Sequence, residues 1–285
     1  MNRKFLPSRR RIDFGSLCLL LLGGWALLFA APAHAAKEDI IRLANGDFVT
    51  GEVKNLQRGK LSYGTDSMGT ISVEWDEILS VEAKQYYRLE TSDGTKYFGS
   101  LNQGSVDGKL LVVRGGATTE LAMPDIVRIQ TIENTWREQI DSTLKTGYSY
   151  TKASEVERFN LNYDAIYIRA LSRTNFGLGG LVTDDGDETT SQWTAYIDYR
   201  YWLKNRNYWL ALGSAERNDE LGLDARLLGG GGFGHRFWQT NASELFGETG
   251  VVVNHTENSD GTKDTALEGL LRSGWSIYIY DTPKR

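Results

Sequence analysis

Two histidines, His235 and His255, are the only imidazoles beyond residue 35, and imidazole is the side chain best suited to proton transfer near neutral pH. A hydrolase would need one of them beside a Ser or Asp nucleophile and oriented by a third polar group. The sequence around them holds no HExxH or GxSxG motif, and the chain has no P-loop spacing. Neither catalytic residues nor a cofactor are therefore predicted.

Two acidic segments, residues 183–188 and 258–261, offer carboxylate oxygens of the kind that bind calcium. The first contains Asp-Gly-Asp but lacks the spaced Glu of a complete calcium loop. Polar Asx-Gly runs of this kind are typical of solvated hairpin tips. No metal ligand is predicted.

The N-terminus carries the pattern of an export signal. A basic segment precedes an apolar run over residues 17–30, and Ala33 and Ala35 form a small-x-small cleavage pattern. The apolar run is short for a membrane anchor, so residues 1–35 are predicted to be a cleaved signal peptide. The only cysteine, Cys18, lies inside that run, which leaves no thiol for a disulfide or a metal site.

Removing residues 1–35 leaves 27 basic and 36 acidic side chains, a net charge of −9. An acidic chain without a basic run is a poor candidate for binding nucleic acid or anionic lipid headgroups.

Residues 38–132 contain a duplication whose two copies are related by a constant offset. Asn45-Gly46 lies five residues before Gly51, as Asp93-Gly94 lies five residues before Gly99. Each repeat, 38–84 and 85–132, predicts short strands joined by tight Asx-Gly hairpin turns. The expected structure is a tandem of small Sm- or SH3-like β-barrels. Residues 133–143, which interrupt the strand pattern, are predicted to be a linker.

Residues 144–285 show alternating apolar and polar residues over long segments. Eight strands are predicted, centred near Tyr148, Tyr163, Leu178, Ile197, Leu212, Leu227, Val251 and Leu271. Several run past ten residues, which is the length that membrane-spanning strands need and soluble strands seldom reach. The glycine-rich segment 227–238 is predicted to be one of these strands.

The predicted strands have two unlike faces. One would contact lipid in a membrane barrel and carries Phe159, Leu161, Tyr163, Trp193, Ile197, Leu271, Trp275 and Ile277. The other would line a lumen, where acids and bases must pair, and carries Asp164, Asp198, Arg200, Asp224, Arg226, Glu244, Glu248, Glu268 and Arg272. In a soluble sandwich the polar face would simply meet solvent.

Aromatic residues favour the membrane barrel, because rings with a polar edge collect where hydrocarbon meets headgroup. They are predicted toward strand ends at Trp193, Tyr199, Tyr201, Trp202, Tyr208, Trp209, Trp238, Trp275, Tyr278 and Tyr280.

The motifs YDAIYIRA, YWLALG, ERNDELGLDAR and GGGGFGHRFW, behind a signal peptide and a duplicated β module, resemble the domain of unknown function 481 family. These are the salt-induced outer-membrane proteins of Gram-negative bacteria. The resemblance covers roughly residues 143–285 and implies an outer-membrane β-barrel without a catalytic motif. The chain departs from the expected pattern at its end, DTPKR, which lacks a terminal aromatic. Either eight strands close or the last hairpins are missing, and the second is favoured.

The sequence therefore predicts an all-β, non-enzymatic outer-membrane barrel, structural or passing small solutes, with its N-terminal modules in the periplasm. The resemblance implies a link to salt or osmotic stress. Expected partners are outer-membrane lipid, the barrel-assembly machinery and, through the modules, peptidoglycan or a periplasmic protein. The alternative is a soluble periplasmic β-sandwich that binds a ligand.

Overall fold

The structure, a computed structural model, describes residues 38–133, 135–152 and 155–280. Apart from two single 3-10 turns, Trp75–Glu77 and Met123–Asp125, every regular element in these ranges is a β-strand, so the predicted all-β class is confirmed. The predicted signal peptide and the terminal DTPKR lie outside the described residues. The described ranges contain no helical segment with the length and hydrophobicity of a membrane span.

The N-terminal region contains nine antiparallel strands, whose pairing includes a closed ring. β1 pairs with β2 and β5, and β9 pairs with the same two strands. The remaining strands extend this ring as β3–β4 on one side and β6–β7–β8 on the other. The bounds are β1 Asp39–Leu43, β2 Phe48–Gln57, β3 Lys60–Thr65, β4 Gly69–Glu74, β5 Ile78–Thr91, β6 Lys96–Gln103, β7 Lys109–Arg114, β8 Ala117–Ala122 and β9 Ile126–Thr131.

Strand pairing in this region recurs with the offset that relates the two sequence repeats. Ile40 pairs with Glu82 between β1 and β5, as Arg88 pairs with Gln130 between β5 and β9. The two 3-10 turns are related by the same offset. They also contact each other, since the Trp75 indole donates a hydrogen bond to the Met123 carbonyl at 2.7 Å. β5 crosses the predicted boundary between the repeats, and strands of both repeats enter the closed ring. Their assignment as Sm- or SH3-like modules stays a prediction.

The C-terminal region is a single antiparallel sheet in the order β10 to β17. All eight predicted strand centres lie in successive strands, and the glycine-rich segment lies in β15. β10 starts four residues before the predicted start of the barrel. The bounds are β10 Ile140–Thr151, β11 Val156–Ile168, β12 Ser172–Asp184, β13 Thr189–Trp202, β14 Asn207–Asn218, β15 Leu223–Gln239, β16 Ser243–Asn258 and β17 Lys263–Ile277.

The eight-stranded sheet curls strongly toward its polar side. Arg272 on β17 and Asp198 on β13 are four strands apart, which would separate their backbones by about 19 Å in a flat sheet. Their charged atoms are 3.9 Å apart. β10 and β17 do not pair with each other in the part of the chain that the structure describes. The sheet is therefore barrel-like in curvature, with two free edges among these residues.

Glycines on the concave side permit this curvature between β15 and β16. A Cβ atom at Gly232 would overlap the Thr249 carbonyl oxygen, and one at Gly230 would overlap the Val251 carbonyl oxygen. On the convex side, a Cβ at Gly229 would meet nothing within 4 Å. The run GGGG thus combines glycines that the sheet requires with one that it does not.

We expect Gly232→Ala to lower the free energy of unfolding by about 1–3 kcal/mol, because the added methyl forces the two strands apart. Gly229→Ala is the matched control and should change stability little. Urea titrations of both variants, followed by tryptophan fluorescence, compare them directly. Equal stabilities would contradict a steric role for the concave glycines.

Candidate functional site: the concave face and its junction with the N-terminal region

Strand register assigns the side chains of the sheet to a convex and a concave face. All eight residues predicted to face lipid lie on the convex face, as the pairs Tyr163–Leu178 and Phe176–Ile197 illustrate. Large apolar side chains are exposed there: Leu271 is 87% exposed, Trp275 66% and Ile197 49%. The convex face is therefore an uncovered apolar surface in the described chain.

The register places eight of the nine predicted lumen residues on the concave face. The exception, Asp224, lies at a bulge near the start of β15 and accepts a hydrogen bond from the Ser259 hydroxyl at 3.0 Å.

Three of the predicted lumen residues have local partners. Tyr196 donates a hydrogen bond to Asp164 at 3.0 Å, and Arg226 donates to Glu216 at 3.3 Å. Asn254 donates to Glu268 at 3.0 Å. The rest are drawn into two larger clusters.

The first of these, the concave cluster, is centred on Glu248, whose side chain is 1% exposed. The Arg200 guanidinium lies 3.3 Å from one Glu248 oxygen, which also accepts from the Tyr208 hydroxyl at 2.8 Å. Arg272 donates to the other oxygen from Nε at 2.5 Å. Asp198 completes the cluster with a 2.5 Å contact to Arg200. Two arginines and two carboxylates thus balance on the concave face.

The second, the junction cluster, joins the N-terminal region to the strand ends of the sheet. Arg236 of β15 donates to Glu90 of β5 at 3.0 Å and approaches Glu244 of β16 at 3.1 Å. Arg128 lies 3.9 Å from Glu244, and Lys96 lies 4.0 Å from Glu90. Nearby, Arg88 of β5 donates to the Ala170 carbonyl at 2.8 Å. Charges that are far apart in the sequence therefore hold the two regions together.

Aromatic rings connect the two clusters. The Arg236 guanidinium lies 4.1 Å from the Trp202 ring centre and 5.7 Å from that of Tyr208, which donates to Glu248. Trp202 and Tyr208 meet edge to face at 4.9 Å and are 7% and 2% exposed. These two rings fill the concave side at the junction. Their prediction as interfacial aromatics is wrong, because alternation along the strands turns them inward.

Electrostatic attraction keeps Glu90 ionised despite its burial. Burial by itself would raise the pKa of the Glu90 carboxyl, but the surrounding cations, Arg236 first among them, outweigh it and lower the pKa below the ordinary 4.5. Burial lowers the pKa of the Arg88 guanidinium to about 10. Burial likewise lowers the pKa of Lys96, since one carboxylate cannot offset burial and three neighbouring guanidinium groups. The junction is richer in cations than in carboxylates.

The lowered pKa of Glu90 predicts how the junction responds to acid. A carboxyl whose pKa is lower in the folded state contributes stability that is present above the ordinary value of 4.5 and is lost as pH falls through the folded pKa. We expect urea stability to decline in that acidic window, and Glu90→Gln to remove this part of the decline. Identical pH profiles for the two proteins would contradict the assignment.

The two histidines have ordinary polar partners on the convex side. His235 Nδ1 lies 2.6 Å from the Asn207 side-chain oxygen, and its ring packs edge to face on Phe237. His255 lies between Thr265 at 2.7 Å and Glu257 at 3.2 Å. No group of three or more His, Cys, Asp or Glu residues in the described ranges is arranged to hold a metal ion.

Sequence reasoning misses the junction cluster almost entirely. Arg236 stands out in the sequence only as the neighbour of His235, and Glu90 and Lys96 resemble any charges beside a hairpin turn. The available signal is positional: alternation along β15 places Arg236 on the same face as Gly232 and Gly234, opposite the apolar residues. Its partner across the junction cannot be inferred from local sequence.

The fold and these clusters define an all-β protein in which a closed strand ring is joined to a curved, barrel-type antiparallel sheet. The chain belongs to the family described as Protein of unknown function, DUF481, whose model matches residues 139–283. The match spans the curved sheet and leaves the N-terminal strands outside. No curated protein and no solved structure matches the chain.

Proposed function

We propose that this protein is an outer-membrane β-barrel that holds its N-terminal β region against the periplasmic rim. The observation that carries the proposal is the convex face, where large apolar side chains lie exposed on seven of the eight strands and half-buried on β11. A contiguous apolar surface of this extent is costly in water and stabilised by hydrocarbon. Strands of 12 to 17 residues are long enough to cross a bilayer.

Aromatic residues support the same placement. On the convex face, Tyr201, Trp209 and Trp275 lie toward the junction, whereas Tyr148 and Trp193 lie nearer the opposite strand ends. Trp136, 64% exposed, precedes β10 and adds a ring at the junction side. Two belts of amphipathic rings suit the two headgroup regions of a bilayer.

The filled concave side favours a structural role, with solute passage restricted to small species. Trp202, Tyr208, Arg236 and Glu248 are all buried and lie where the sheet meets the N-terminal region. A lumen filled by paired side chains acts as a plug. The N-terminal region would then be displayed toward peptidoglycan or a periplasmic protein, and the link to salt or osmotic stress follows from the family resemblance.

Ile197→Arg tests the proposal by placing a charge at mid-depth on the convex face. We expect it to oppose membrane insertion by about 2–4 kcal/mol, so that the folded, heat-modifiable band disappears from outer-membrane fractions. Val106→Arg is the matched control, since Val106 is 60% exposed on the N-terminal region. That variant should assemble normally.

The fractionation also has outcomes that would overturn the proposal. Normal membrane assembly of Ile197→Arg would show that the convex face does not contact lipid. A soluble periplasmic wild-type protein without heat-modifiable mobility would favour the β-sandwich alternative, although no second sheet covers the convex face in the described ranges.

A further inference from the structure

A cavity of about 580 Å³ lies between the N-terminal region and the rim of the curved sheet. Its walls come from the hairpin between β5 and β6, from Leu171 after β11, and from the end of β13 with the turn that follows it. On the rim side the lining includes Tyr201, which belongs to the convex face and is 39% exposed. The cavity is therefore continuous with the surface assigned to lipid.

The charges in the lining are of one sign. Lys96 and Lys204 contribute ammonium groups, and no carboxylate lines the cavity among the described residues. Arg114 adds a third cation beside the cavity wall, with its guanidinium 5.9 Å from the ring of Phe98. Another cavity of the same volume, beside the 3-10 turns, is lined instead by Glu74 and Asp76. Although the protein is acidic overall, this cavity at the rim of the curved sheet is lined by positive charges.

The cations differ in how they are held. The Lys96 ammonium donates to the Leu203 carbonyl at 2.7 Å and the Gly94 carbonyl at 3.3 Å and lies 4.0 Å from the Glu90 carboxylate, so it is fixed in the wall and already has a counter-charge. Lys204 is exposed, and its ammonium makes no hydrogen bond or ion pair within the described ranges. It lies in a tight turn in which Asn205 and Arg206 both adopt positive φ, at 55° and 64°. The turn thus presents the Lys204 ammonium beside apolar and aromatic walls.

We propose that this cavity binds the phosphate-bearing headgroup of an anionic glycerophospholipid in the leaflet that faces the N-terminal region. The Lys204 ammonium matches the phosphate, while Tyr201 and Leu171 match the glycerol and the first acyl carbons. The proposal rests on the outer-membrane placement proposed above, since that placement brings lipid to the Tyr201 side of the cavity. Such a lipid would stabilise the contact between the rim of the sheet and the N-terminal region.

Native mass spectrometry of the full chain, purified in detergent and given phosphatidylglycerol or phosphatidylcholine with identical acyl chains, tests the proposal. We expect preferential retention of phosphatidylglycerol, and a roughly tenfold loss of it in Lys204→Glu. Lys84→Glu makes the same charge change at an exposed position outside the cavity and should retain the lipid. Lys204→Gln should give an intermediate result.

Equal retention of the two lipids, or unchanged retention in Lys204→Glu, would overturn the proposal. Displacement of phosphatidylglycerol by millimolar inorganic phosphate would instead assign the cavity to free phosphate and also overturn it. The assay uses purified protein, so its result is independent of where cells place the chain. The outer-membrane placement is tested separately, by the fractionation of wild type and Ile197→Arg described above.

Discussion

Replacing Glu248 with leucine should lower the free energy of unfolding by about 3–5 kcal/mol, because two arginines lose the carboxylate that compensates them. Glu248 accepts from Arg200, Arg272 and Tyr208 at once, and its side chain is almost completely buried. Removing the one fully buried member costs more than the cluster contributes as a whole, since Arg200 and Arg272, 21% and 42% exposed, would then share Asp198 as their counter-charge.

Urea titration followed by tryptophan fluorescence measures this effect. Glu268→Leu is the matched control: Glu268 lies on the same face but is exposed and has one amide partner, Asn254 at 3.0 Å. That variant should change stability by less than about 0.5 kcal/mol. Equal losses in both variants would mean that the concave cluster does not stabilise the sheet.

A triple variant separates lost pairing from lost packing. Changing Arg200, Glu248 and Arg272 together to methionine removes the central carboxylate with both of its cations and keeps most of the buried volume. We expect it to be more stable than Glu248→Leu, because an apolar replacement of a buried ion cluster is often neutral or stabilising. If the triple variant were less stable than the single variant, packing and not charge would be responsible.

The alternation of residues is sufficient to predict the strands of the curved sheet and their two faces. Long runs such as 158–167 allow one register, because a slip by one residue would move every apolar side chain to the polar face. The same alternation separates Tyr201 from Trp202. This alternation turns Trp202 to the concave face. The prediction of Trp202 as an interfacial aromatic is wrong because it considers only that the residue lies near a strand end.

Contacts between distant strands cannot be predicted in the same way. Strand order brings β13 and β17 within reach only because the sheet curls, and the curl depends on concave glycines packed against backbone atoms of the next strand. In the N-terminal region the repeat is visible in the sequence. The sharing of β5 between repeats is not, because local turn signals do not specify which strand closes a ring.

Arg236→Met should destabilise the junction by about 3–5 kcal/mol, because Glu90 would remain buried without its nearest cation. Arg236 also stacks on Trp202 and pairs with Glu244, so its loss weakens both clusters. We expect limited proteolysis to cleave the N-terminal region of this variant faster than that of the wild type. Arg226→Met is the control, since Arg226 is 46% exposed and pairs only with Glu216 among the described residues.

A double-mutant cycle with Glu90→Gln identifies the contact responsible. The Glu90–Arg236 pair at 3.0 Å predicts that the double variant loses less stability than the sum of the single variants, with a coupling of about 0.5–3 kcal/mol. Additive losses would show that Arg236 acts through Trp202 and Glu244 alone. A coupled loss in which limited proteolysis cleaves the N-terminal region but leaves the sheet intact would show that the N-terminal region undocks while the sheet stays folded.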